Sequence, residues 1–179
     1  MAGGCQNPPM TLVDNGRITL EHARDAAYDI VLLAHVLSAL VGLGAVAVAG
    51  GYALTLRRSG AGSEGVRRYY RPGVNWAGRV LFLVPVFGVI LVAMSKGDWS
   101  YSDTWIMIGL VLWVLIVLAA EMALWPEERQ LQAAVADPHA ATDPASVEAL
   151  RARCLRVAVL AAALSVGLVA AAVVMVGTP

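Results

Sequence analysis

The sequence predicts an all-α integral membrane protein, a four-helix bundle with its amino and carboxyl termini both outside the cytoplasm. Three observations carry that prediction: the composition, the spacing of four apolar runs, and the side on which the arginines fall. Of the 179 residues, 59% are apolar and 15% are charged, whereas a soluble globular domain carries about a quarter charged residues. Lipid is the solvent that such a chain fits. The runs go from about Tyr28 to Leu56, Val74 to Ala93, Thr104 to Trp125 and Leu155 to Gly177. Each is long enough for a hydrocarbon core roughly 30 Å thick, which takes about 20 helical residues. Backbone groups in lipid must bond within their own segment, so the runs are helices, and no alternating barrel pattern is present.

Residues 1–27 form an extracytoplasmic tail ahead of the transmembrane domain, 28–179. Gly3, Gly4, Pro8, Pro9 and Gly16 punctuate this tail, and Thr19 is placed to cap a helix entering the first span. Ala2-Gly3-Gly4-Cys5 resembles a lipoprotein cleavage box only superficially, since no apolar segment precedes it, and either Met1 or Met10 serves as the start. Asp14, Glu21, Asp25 and Asp29 make the tail acidic, so it can cross the membrane without a signal peptide.

Two cytoplasmic loops follow from the basic residues, because short cytoplasmic loops retain arginine and lysine. Residues 57–73 hold Arg57, Arg58, Arg67, Arg68 and Arg71, with Arg79 just inside the second span. Residues 126–154 and the start of the fourth span supply Arg129, Arg151, Arg153 and Arg156, so ten of the thirteen basic residues share one side. Tyr69, Tyr70, Trp76 and Trp125 would ring that interface, and Trp99, Tyr101 and Trp105 the opposite one. Pro85 should kink the second span. Pro126-Glu127-Glu128 reads as the first turn of a short helix ending near Ala136, and Asp143-Pro144 as the cap of a helix running into the fourth span.

An ionisable group at membrane depth is costly unless paired, so each is a candidate site. Arg79 and Glu121 both lie 21 positions from Ser100 in the outer hairpin, so antiparallel spans bring them to one depth as an ion pair that fixes helix register. A proton-relay or substrate role is the competing reading. His35 lies on a face of small residues, Ser38, Ala39, Gly42, Ala45, Ala49 and Gly50, and so points into the bundle. A second small-residue face runs through Ala161, Ala162, Ser165, Gly167, Ala170, Ala171 and Ala172 on the fourth span. His35 is either a packing residue or a ligand. Met94, Met107 and Met175 map to the same half of the bundle, and thioether with imidazole suits Cu(I), although methionine also fills gaps in apolar packing. Trp113, at mid-span, is read as packing between helices or against lipid. His22 and His139 fall on opposite sides, which disfavours bis-histidine haem, and Cys5 and Cys154 are likewise separated. No cofactor, no assigned metal and no nucleic-acid partner is expected. Nor do Walker, Cys-x-x-Cys, Gly-x-Ser-x-Gly or His-Glu-x-x-His patterns occur, so the chain is expected not to be an enzyme.

Leu33-Ala34-His35-Val36-Leu37-Ser38-Ala39-Leu40-Val41-Gly42-Leu43-Gly44 resembles the opening helix of bacterial predicted integral membrane proteins of unknown function and of copper resistance D-like proteins. That resemblance implies a multi-pass bacterial plasma-membrane protein and carries over His35 alone. The copper resistance D-like pattern is longer and richer in intramembrane histidine. The Ala/Val/Arg-rich, nearly lysine-free composition is similar to that of small actinobacterial accessory subunits joining cytochrome bcc to a terminal oxidase. The resulting expectation is a non-catalytic accessory or assembly subunit whose partners are lipid and other membrane subunits. The alternative is a small transporter or copper-handling protein built on His35 and the three methionines.

Overall fold

The computed structural model describes residues 12–60, 63–137 and 144–177, with side chains from residue 21 onward. Cys5, Met10, His139 and Asp143, and the Thr19 side chain, lie outside the described residues. Helix α1 runs Leu12–Ser59, a short α2 runs Glu64–Tyr69, and the second crossing is built from α3, Trp76–Arg79, and α4, Leu83–Met94. Helix α5 runs Thr104–Ala119, α6 runs Trp125–Ala136, and α7 runs Pro144–Gly177. Four helical stretches are long and apolar enough to cross a membrane: Glu21–Ser59, Trp76–Met94, Thr104–Ala136 and Pro144–Gly177. The fold is therefore all-α and membrane-spanning, with no strand among the described residues.

Several boundaries differ from the sequence expectations, each for a physical reason. Helix α1 begins at Leu12, upstream of Thr19, because no proline between Leu12 and Ser59 interrupts its hydrogen-bond ladder. The third helix does not stop at Trp125. A π turn over Ala120–Leu124 joins α5 to α6, and the wider turn accommodates Pro126, whose ring and missing N–H disturb the carbonyls one turn back. In the second crossing the break lies ahead of Pro85, in a 3-10 turn over Val80–Phe82. Pro85 then occupies the first turn of α4, where a proline costs little compared with about 3 kcal/mol in a helix interior.

Small residues set the spacing between helices. At Gly50 an added Cβ would lie 2.9 Å from Ala161 Cβ, so α1 and α7 meet nearly backbone to backbone. Gly42 seats Leu81, and Gly167 lies against Ile116. Ala49 is buried and Ala45 half-buried on the same face of α1. Ser38 is buried and donates to Ala34 O at 2.7 Å within its own helix, while the Ser165 hydroxyl is buried without a partner. Tyr70 and Trp125 do not ring the interface: they are 1% and 5% exposed and join a core of Ala53, Leu56, Val66, Leu124, Leu131, Cys154 and Val157. Trp76 does face outward.

Candidate functional site

The polar groups of the arginine-rich end converge on α6 and the segment that folds beneath it. Helix α2 places Tyr69 beside the core, where its ring stacks on Tyr52 at 4.2 Å and meets Tyr70 edge-on at 5.0 Å. Asn75 caps α3 by accepting from Gly78 N–H. Its amide also donates to Glu128 Oε1 at 3.3 Å, and the Tyr69 hydroxyl donates to the same oxygen at 3.0 Å. Glu128 is only 4% exposed, so these donors do what water would otherwise do for its carboxylate. Burial, reinforced for both by the Glu128 carboxylate, pushes the Tyr69 and Tyr70 hydroxyls above the ordinary tyrosine range. The Tyr70 hydroxyl has no protein partner.

One turn further into the apolar region, Arg79 Nη1 donates to Glu121 Oε1. The guanidinium carbon lies 3.9 Å from the Trp125 ring centroid, a cation–π contact that shields the face of the ion pair. Glu121 sits in the π turn, and the disturbance begun by Pro126 thus falls on the same stretch as the charged pair. Gly73, Asn75, Arg79, Trp125, Glu128 and Gln132 are among the residues around a cleft of about 50 Å³, room for a few water molecules. Across α6, Glu127 pairs with Arg156 at 3.2 Å and lies 3.8 Å from Arg153. Chemically this end can hold charges in fixed register.

In the opposite half, His35 Nδ1–H donates to Val84 O at 2.9 Å, and the ring lies against Gly88, whose missing side chain makes room for it. Trp113 answers the second consequence of Pro85. Proline has no N–H for the Leu81 carbonyl, and Trp113 Nε1–H donates to that oxygen at 3.0 Å. Met175 folds over Gly109, Met107 faces outward at 47% exposure, and Met94 is half-buried at the end of α4. The contacts of His35 run to Val84 and Gly88 on α4, and those of Met175 to Gly109 on α5. Among the described residues no group of three or more His, Cys, Asp and Glu side chains is placed to hold a metal ion.

Glu128, Tyr69 and Asn75 escaped sequence reasoning. The usable signal was the Asn75-x-x-Gly78 cap at the mouth of the second span, which fixes the chain's entry and hence where Tyr69 can reach. Comparison with curated proteins and with solved structures gives no match. The model of one family, described as predicted integral membrane protein (DUF2269), matches residues 29–179, all four crossings. The chain belongs to that family of integral membrane proteins.

Proposed function

We propose that this chain is a non-catalytic accessory or assembly subunit of a larger plasma-membrane complex, held in a bacterial inner membrane with its arginine-rich end in the cytoplasm. One observation carries the reading. Helix α7 exposes Val159, Ala163, Val166, Ala170 and Val173, a seam with alternating spacings of four and three residues and no bulky side chain. Small and β-branched residues at that spacing let a second helix approach closely in lipid, where packing rather than the hydrophobic effect drives association. The outward face of α5 is bulkier, with Met107, Ile108, Leu110, Leu115 and Leu118 exposed beside Val111 and Val114, a surface suited to acyl chains.

The polar groups at depth support the same reading. Arg79 and Glu121 satisfy each other, and His35 is bonded to backbone, so these groups are occupied in holding the bundle together. Within the accessory class, a respiratory complex joining cytochrome bcc to an oxidase fits the size and composition of the chain. Purification of the tagged protein from its own membrane in mild detergent, with mass spectrometry and a visible spectrum, tests the proposal. Stoichiometric haem-bearing subunits are expected, and an Ala163→Phe/Ala170→Phe variant should lose them while keeping its helical content. A colourless, partner-free protein would overturn it.

A further inference from the structure

Helices α1 and α7 run antiparallel, and the register that seats Gly50 on Ala158 and Ala161 brings the last turn of α1 level with the early turns of α7. Arg57, Arg58 and Arg151 meet there around an open cleft of about 240 Å³, with Leu54 forming its wall on the apolar side. All three arginines are exposed, and none forms an ion pair with a described carboxylate. Arg79, Arg153 and Arg156 each have a glutamate beside them, whereas Arg67, Arg68, Arg71 and Arg129 share the unpaired state without lining this cleft. Glu148, one turn before Arg151 on the same helix, is the nearest acid in the chain and does not pair with it. The end of α1 favours positive charge near its carbonyls, which accounts for Arg57 and Arg58 but not for a cleft shared with Arg151.

We propose that this cleft binds one phosphate-bearing anion, and that the occupant is the headgroup of an anionic phospholipid. Three like charges around one space repel each other, and a phosphate oxygen cluster relieves that repulsion while accepting from several guanidinium N–H groups at once. Leu54 lies one helical turn toward the apolar span from Arg57 and Arg58, so an acyl chain leaving the headgroup finds an apolar surface at once.

Native mass spectrometry of the full chain in detergent, titrated with phosphatidylglycerol, phosphatidylcholine or inorganic phosphate, tests this site. One phosphatidylglycerol per chain should be retained in preference to phosphatidylcholine. Each Arg→Gln change should weaken retention about fivefold and the triple change about a hundredfold, the effect expected per arginine at a membrane surface. An Arg67→Gln/Arg68→Gln variant removes two charges that do not line the cleft and, with their longer-range attraction screened by salt, should stay within about twofold of the parent. Circular dichroism checks folding, and if the triple variant loses helix the single Arg151→Gln variant still reads the site. Displacement of phosphatidylglycerol by equal inorganic phosphate would keep the phosphate site and assign it to a soluble anion, overturning the lipid assignment. Equal retention of phosphatidylcholine, or an unchanged triple variant, would overturn the site itself.

Discussion

At the arginine-rich end of the bundle Ala53, Val66, Leu131 and Cys154 are sealed off, whereas at the hairpin end Leu33, Leu37, Val86 and Val89 remain about half exposed. The two ends are held by different forces. The first has a packed core that draws on α1, α2, the second crossing, α6 and α7, threaded by the Tyr69–Asn75–Glu128 bonds and the Arg79–Glu121 pair. The second is fastened at its surface by the Trp99–Trp105 and Tyr28–Trp99 ring contacts, the Tyr101 hydroxyl on Val89 O, and an exposed Lys96–Asp25 pair at 3.3 Å. Exposed pairs of that kind contribute at most about 1 kcal/mol. The difference teaches that most of the polar fastening lies at one end of the bundle, whereas nearer the hairpin a few contacts, such as His35 on Val84 O and Met175 over Gly109, join crossings that otherwise face lipid.

The largest test of this contrast is a pair of truncations. Leu131→Ala removes a side chain with 0% exposure and should cost about 3 kcal/mol. Leu37→Ala, at 50% exposure, should cost well under about 1 kcal/mol, because lipid replaces the lost contacts. Unfolding in mixed micelles reads both, and equal costs would erase the distinction between the ends.

A smaller effect sharpens the role of the charged pair. The two side chains are 28% and 36% exposed, so Glu121→Leu alone should cost about 2 kcal/mol, below the range for fully buried pairs. Arg79→Leu/Glu121→Leu should recover most of that loss if the pair holds register and nothing more. A double variant as unstable as the single one would show that Arg79 has a further partner to satisfy.

The smallest expected effect is confined to alkaline pH. Tyr69 and Tyr70 have raised folded-state values, so the stability that they contribute is complete below the ordinary 10.0 and is lost only as pH rises above it. In an ultraviolet titration compared with that of a Tyr69→Phe/Tyr70→Phe variant, the signal of these two hydroxyls should appear only above the ordinary 10.0. Ionisation of Tyr69 and Tyr70 at the ordinary value would show that water reaches the core of the arginine-rich end.

The crossings were legible in the sequence because four long apolar runs leave few other solutions in lipid. The meeting of Arg79 and Glu121 follows from their equal distance to the hairpin, arithmetic that needs only antiparallel spans. Hydropathy was silent about Tyr69, Asn75 and Glu128, since the placement of α2 depends on aromatic stacking and on one side-chain cap. Proline was legible as a disturbance but not in its position. Pro85 and Pro126 each displace the irregular turn toward the amino end, where the deprived carbonyls are, and Trp113 was not foreseen as the donor to one of them. Tyr70 and Trp125 went inward because the arginine-rich end has a core deep enough to take them.

The π turn over Ala120–Leu124 packs one more residue into the helix than an α turn would use. Deleting a single codon there would restore an α turn and leave α6 close to its present phase, with Trp125, Glu128 and Leu131 still on the core side. The same deletion within the regular turns of α5 would swing every residue beyond it about 100° around the axis. The π turn therefore works as a slack link, the one place on this helix where a residue of length can be lost without rotating the shaft that follows.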